Sequence, residues 1–130
     1  MPEGIDLDTT CWPVVVLRPP ESVEDAAFIE FLERWEFEVL GRGEPFVMVI
    51  VAEGTRGITP TQRKILSKRD EHAMLRGTAL VFSSGFLRGM LTALFWLRKR
   101  PHPIEVFPTL EEARAWAVEL ISAQLHRNAG

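Results

Sequence analysis

The chain has 130 residues, of which 46% are hydrophobic and 25% charged, and its formal net charge is −3. These values predict a single domain, residues 1–130, and argue against nucleic acid as the main partner. No apolar run approaches the roughly 20 residues that cross a bilayer, and the N-terminus lacks the pattern of a secretory signal, so we expect a cytoplasmic protein without a membrane span.

Two short strands are predicted at the start of the chain. Residues 5–10 mix apolar and acidic side chains, as an edge strand does, and residues 14–18 are apolar until Arg18. Pro13 suits an edge or a strand start, where no ladder donor is lost. We therefore expect an N-terminal β-hairpin.

A first helix is predicted from Ser22, as the N-cap, to about Leu40. Apolar residues recur at spacings of three and four and form one face. The residues of this face are Ala27, Phe28, Phe31, Leu32, Trp35 and Val39. Residues 45–52 follow as an unbroken apolar run rich in β-branched side chains, which is typical of a strand covered on both faces.

The next helix has a clear start. Thr59 can cap it, Pro60 suits the first helical position, and Gln62 can complete a capping box. We expect this basic helix to reach about Met74, with a third core strand over residues 79–82.

The rest of the chain predicts an apolar helix over residues 86–97, a short strand over residues 104–107 and a final helix to about Leu125. Thr109 and Glu112 form a second candidate capping box. The core face of the final helix is Leu110, Ala113, Trp116, Ala117, Leu120 and Ile121. The order ββαβαβαβα predicts an α/β fold with a mixed, mostly parallel sheet and helices packed on it.

Several short segments carry a family resemblance. They are Trp12–Val15, Gly43–Phe46, Thr61–Arg63 and Val106–Phe107, followed by Glu111–Trp116. With the element order, they resemble the STAS superfamily of sporulation anti-sigma-factor antagonists and sulphate-transporter domains, and in particular small bacterial STAS/SEC14-like proteins. The resemblance implies a STAS-like fold and a regulatory, non-enzymatic role in binding a protein partner in the bacterial cytosol.

The anti-sigma antagonists carry a phosphorylatable serine after an aspartate, at the loop and helix start that follow the central strand. Residues 53–61 occupy that place here and contain no Asp–Ser pair. The phosphorylation switch of the family is therefore not transferred to a named residue.

The loop of residues 53–61 is the first candidate site, because partners and ligands of open α/β sheets gather at the carboxyl ends of strands. We predict that Thr55, Thr59, Thr61 and Arg63 bind a protein partner. The alternative is that Thr59 only caps its helix and that the glycines only shape the turn.

The predicted helix over residues 86–97 is apolar nearly all round. Leu87, Leu91 and Trp96 cannot all share the face of Phe86 and Met90, and such a helix is either buried or faces a partner. We predict a homodimer or protein-partner contact through Leu87, Leu91 and Trp96. The alternative is that flanking helices cover them.

A small-ligand or anion site, for a nucleotide or lipid, is the alternative function. Ser83 and Ser84 follow the third core strand, and Arg88 comes one turn later, but the spacing of a phosphate-binding loop is missing. Capping by Ser84 alone explains the serine pair.

No catalytic, cofactor or metal site is predicted. His72, His102 and His126 lack the spacing of metal ligands, and no nucleophile has a recognisable base partner. The single cysteine, Cys11, cannot form an internal disulfide, and we expect it to be packed beside Trp12.

Overall fold

The computed structural model describes residues 4–51, 59–67, 74–85 and 103–129. This part of the chain contains five strands in one sheet: β1 (Asp6–Asp8), β2 (Val14–Arg18), β3 (Phe46–Val51), β4 (Leu75–Val81) and β5 (Ile104–Phe107). It also contains the helices α1 (Asp25–Glu38), α2 (Pro60–Ser67) and α3 (Leu110–Ala129), and a 3-10 turn at Leu40–Arg42. The predicted α/β class is confirmed.

The strands lie in the order β1-β2-β3-β4-β5. β1 pairs with β2 in antiparallel fashion, which confirms the hairpin, and the other neighbours are parallel. The predicted central strand is at the centre of the sheet, where Val49 is paired with Val16 on one side and Ala79 on the other. The register shifts between the pairs Phe46–Leu75 and Val47–Gly77, which leaves Arg76 of β4 as an extra, bulged residue.

Both faces of the sheet are covered, because side chains alternate along each strand. One buried cluster packs β2, β3 and β4 against α3: Val14, Val16, Val47, Val49, Ala79, Val81, Ala113, Ala117 and Ile121. The other packs the opposite face against α1: Val15, Leu17, Val23, Phe28, Phe31, Leu32, Val39 and Phe46. The expectation of a central strand with cover on both sides is confirmed.

The predicted core face of the final helix is confirmed in full. Ala113, Ala117 and Ile121 are buried, and the other three predicted residues pack on the same cluster. Gly77 of β4 permits this close approach. A Cβ atom placed on Gly77 would overlap Leu120 Cδ2 and would lie 3.2 Å from Trp116 Cη2.

The start predicted for the first helix is wrong. Glu24, not Ser22, is at the N-cap, in an extended conformation and with no side-chain capping hydrogen bond. Val23 is buried, and its carbonyl accepts a hydrogen bond from Gln62. These contacts keep the residues before α1 out of the helix. The helix therefore begins at Asp25.

The start of β4 also differs from the prediction. β4 begins at Leu75 rather than at Ala79, and Met74 before it lies in a turn. The predicted end of the basic helix falls on residues 68–73, which lie outside the described residues. Gly77 and Thr78 are buried within the strand. Tertiary packing against α3 thus outweighs the local preference of glycine for turns.

The 3-10 turn Leu40–Arg42, which follows α1, ends at Gly43, whose φ of 63° lies in the left-handed region that suits glycine. The predicted apolar helix over residues 86–97 lies outside the described residues. None of the helices in the described ranges is long and apolar enough to span a membrane.

Candidate functional site

The carboxyl edge of the sheet gathers three connections. β2, β3 and β4 run parallel, so their C-terminal ends meet at one edge. β2 leads to α1, β3 leads to α2, and β4 leads to Ser83 and Ser84. This edge is where ligands and partners of open α/β sheets usually bind.

The start of α2 is a reciprocal capping box. The backbone N–H of Gln62 donates to Thr59 Oγ1 at 3.1 Å, and the backbone N–H of Thr59 donates to Gln62 Oε1 at 3.2 Å. Two backbone donors that a helix start leaves without intrahelical partners are therefore satisfied. The capping box predicted for Thr59 and Gln62 is confirmed.

Gln62 also connects α2 to the beginning of α1. Its side chain is 0% exposed. The amide nitrogen Nε2 donates to the carbonyl oxygen of Val23 at 2.6 Å and to Asp25 Oδ1 at 3.1 Å. This link could not be predicted from the sequence, because no local pattern marks a contact between residues that are 37 or 39 positions apart.

The first turn of α2 presents two threonines to solvent. Thr59 and Thr61 are exposed, although the helix start that carries them is anchored by the buried Gln62. Arg63 follows in the same helix. The structure therefore places three of the predicted partner-binding residues on one short, fixed segment, whereas Thr55 lies outside the described residues.

The serine pair lies at the same edge, beyond the strand next to β3. Ser83 is exposed and Ser84 is half-buried, and both already make contacts within the chain. The backbone N–H of Phe82 donates to the carbonyl of Phe107 at 2.8 Å, so pairing continues to the residue before Ser83. Arg88, Leu87, Leu91 and Trp96 lie outside the described residues.

An aromatic and ionic cluster occupies the amino edge of the sheet. Trp12 donates its indole N–H to Glu44 Oε2 at 3.0 Å, and the Arg42 guanidinium carbon lies 4.3 Å from the centre of its ring. Phe46 packs between Trp12 and Trp35, with ring centres at 5.8 and 5.5 Å. These contacts join the hairpin turn to the start of β3, which is a structural role.

The hairpin holds a second polar group. Thr10 donates to Asp8 Oδ1 from its hydroxyl at 2.6 Å and from its backbone N–H at 2.9 Å. These hydrogen bonds, with smaller contributions from the Arg18 and Arg114 cations, hold the pKa of Asp8 below its ordinary value of 3.8 against the opposing effect of burial.

Cys11 lies in the turn of the same hairpin and is exposed. The expectation that it packs beside Trp12 is therefore wrong. The Trp12 side chain contacts Phe46, Arg42 and Glu44 instead. Within the described ranges, no three histidine, cysteine, aspartate or glutamate side chains gather as metal ligands do.

Comparison with known proteins identifies the fold. No protein-family model matches the chain, and no curated protein matches it significantly. A solved structure with the same architecture is an uncharacterized protein of the DUF3478 family with a SpoIIAA-like fold, from Shewanella loihica PV-4. The TM-score is 0.66 at 12% sequence identity, over 88% of this chain and 92% of the other. The fold is therefore SpoIIAA-like, which confirms the STAS-like architecture implied by the resemblance.

Proposed function

We propose that this chain is a non-enzymatic regulatory module of the STAS type, which binds a protein partner in the bacterial cytosol. The observation that carries the proposal is the anchored start of α2. Gln62 is buried and bonded to the beginning of α1, while Thr59 and Thr61 beside it are exposed. A surface that is already ordered binds a partner at a lower entropic cost.

The proposed contact surface begins with Thr55, Thr59, Thr61 and Arg63. It lies after the central strand, where the resemblance to anti-sigma antagonists puts their regulatory segment. The SpoIIAA-like fold of the Shewanella protein, which is itself uncharacterized, supports this architecture. The proposal therefore depends on the geometry of this edge in the present chain.

We extend the proposed surface to Leu87, Leu91 and Trp96 on the strength of the sequence pattern. These apolar residues would supply either a partner contact or a homodimer contact. Replacing all three with alanine should weaken self-association or partner association in gel filtration and pull-down, while circular dichroism retains the signal of the folded chain. Unchanged association would remove this segment from the surface.

Site-specific photo-crosslinking tests the α2 contact. A photoreactive amino acid replaces Thr61, and a matched variant carries it at Glu119, an exposed position of α3. Both full-length variants are expressed in the organism from which the chain comes, and the crosslinked proteins are identified by mass spectrometry. We expect a discrete crosslinked protein from position 61 that is missing from position 119 and that is lost when Arg63→Glu is added.

Two results would contradict the proposal. One is the same set of crosslinked proteins from positions 61 and 119, which indicates random encounters. The other is no crosslink from position 61, accompanied by a clear rise in melting temperature with nucleotides, phosphate or fatty acids. That second result would favour the alternative of a ligand site near Ser83, Ser84 and Arg88.

A further inference from the structure

The outer face of α1 exposes large apolar side chains. Phe37 is 84% exposed and Ile29 is 47% exposed. Together with Glu33 they follow one line along the helix, because residues four positions apart are neighbours on its surface. Ile29 and Phe37 lie about 12 Å apart along the helix axis, two turns of helix. We call Ile29, Glu30, Glu33, Glu36 and Phe37 the outer stripe.

The helix that carries the outer stripe is strongly acidic. It has five acidic residues and one basic residue, a net charge of −4 over 14 residues. The one basic residue, Arg34, already contacts Glu38, with 3.3 Å between Nη2 and Oε2. The outer stripe therefore combines two separated apolar anchors with negative charge on their flanks.

The position of the charge is unfavourable for the helix itself. Glu36 and Glu38 lie in the last turn of α1, which contains no basic residue. The C-terminal end of a helix is already partly negative, so acidic residues there destabilise it. Phe37 lies in the same turn. The Arg34–Glu38 ion pair and Arg42, which donates to the Glu38 carbonyl at 3.0 Å, offset part of this cost. The exposed ring of Phe37 is not explained by the folding of α1.

Charge decides which occupant fits the outer stripe. An anionic lipid surface or a nucleic acid would be repelled. A second copy docked through the same face would bring Glu30 and Glu33 towards their own counterparts. We propose that the outer stripe docks a cationic amphipathic helix of a protein partner, whose apolar residues contact Ile29 and Phe37 and whose lysines or arginines contact the glutamates.

This surface is distinct from the start of α2. Gln62 contacts Asp25, and Phe37 follows Asp25 by 12 positions, about 18 Å along the helix axis. The inference does not depend on the proposed function. Variants of the outer stripe leave Thr59 and Thr61 unchanged, so the two proposals can fail separately.

A defined peptide serves as the probe. It is a fluorescent synthetic helix of about 18 residues, five turns, with leucine on one face and lysine and arginine on the flanks. A scrambled peptide of equal composition has no apolar face and is the control. Fluorescence anisotropy measures the binding of each peptide to the full chain at low and at high salt.

Three variants of exposed residues assign the binding to the outer stripe. They are Phe37→Ser, Glu33→Gln and, as a matched control on α3, Val118→Ser, whose residue is 53% exposed in the native chain. We expect Phe37→Ser to weaken binding about tenfold, as loss of an interface anchor does. Glu33→Gln should weaken it about two- to fivefold and reduce its salt dependence. Val118→Ser should bind like the native chain.

Several results would overturn the inference. Binding of the scrambled peptide with equal affinity would show that charge alone is responsible. Equal losses from Phe37→Ser and Val118→Ser would place the contact elsewhere, and the lack of saturable binding by the native chain would exclude this partner chemistry. Thermal unfolding of each variant, expected to match that of the native chain, confirms that the measured differences do not arise from misfolding.

Discussion

The side-chain amide of Gln62 and the backbone carbonyl of Val23 are joined by a hydrogen bond of 2.6 Å, although the two residues are 39 positions apart. The bond crosses from the first turn of α2 to the segment before α1. It is buried, and the same amide nitrogen also donates to Asp25. This one side chain therefore fixes the start of α2 in space against the start of α1.

Replacing Gln62 with leucine should strongly destabilise the fold. Leucine has a similar size, but it leaves the buried Val23 carbonyl without its donor and Thr59 N–H without its acceptor. An unsatisfied buried polar group costs about 1–3 kcal/mol, so we expect the free energy of unfolding to fall by about 2–4 kcal/mol. Urea denaturation at neutral pH measures the change.

Thr61→Ala is the control for this prediction. Thr61 is exposed in the same turn of α2, and surface substitutions usually change stability by less than about 0.5 kcal/mol. If Gln62→Leu is no more destabilising than Thr61→Ala, the hydrogen bonds of Gln62 contribute little to stability.

Gly77→Ala should destabilise the packing of α3 on the sheet. The added methyl group would overlap Leu120 Cδ2 and crowd the Trp116 ring. Overpacking of this kind costs about 1–3 kcal/mol. Because the end of the Leu120 side chain can move, we expect the free energy of unfolding to fall by an amount within this range and not by more. Thermal or urea unfolding detects the change.

A second substitution at Leu120 separates this clash from other effects of alanine in a strand. In the Leu120→Ala background the overlapping atom is gone, so Gly77→Ala should then cost at least about 1 kcal/mol less than in the native chain, the coupling expected of residues in contact. Additive losses in the double variant would mean that the destabilisation comes from β4 alone.

The hydrogen bonds to Asp8 predict a pH dependence in acid. The pKa of Asp8 is lowered in the folded chain, chiefly by the Thr10 hydroxyl and then by the Thr10 backbone N–H. A lowered pKa in the folded state stabilises the fold above the ordinary value of 3.8, and this contribution is lost as the pH falls through the lowered pKa. Asp8→Asn should therefore reduce stability at neutral pH, and its difference from the native chain should shrink in acid.

NMR titration of the Asp8 carboxyl carbon checks the cause directly. Thr10→Ala removes the hydroxyl that donates at 2.6 Å, so the pKa of Asp8 should rise towards its ordinary value. Thr9→Ala, one residue earlier, keeps that donor and serves as the control. An unchanged pKa in Thr10→Ala would assign the shift to the Thr10 backbone N–H, which this variant keeps, and to the cations.

The sequence pattern correctly predicted those features that depend only on residues close together in the chain. The capping box of Thr59 and Gln62 depends on positions three apart, and the core face of α3 depends on the helical repeat. Both were predicted and both are confirmed. The place of Thr59, Thr61 and Arg63 at the carboxyl edge followed in the same way from the position of the central strand.

Contacts between distant segments explain the errors. The extended residues before α1 depend on the burial of Val23, and the early start of β4 depends on the fit of Gly77 beneath α3. The acidic, apolar outer stripe of α1 was also missed. The apolar pattern of its buried face predicted the helix, but it did not predict the large exposed fraction of the Phe37 side chain.

The sequence by itself determined the types of the described elements, their order and the faces that α1 and α3 bury, because period and capping are properties of consecutive residues. Tertiary structure alone decided the helix start at Asp25, the use of Gln62 as a bridge between two helices and the exposure of Cys11 and Phe37. These features depend on which distant surfaces meet, and the burial and hydrogen bonds of each residue are defined only after the sheet has assembled.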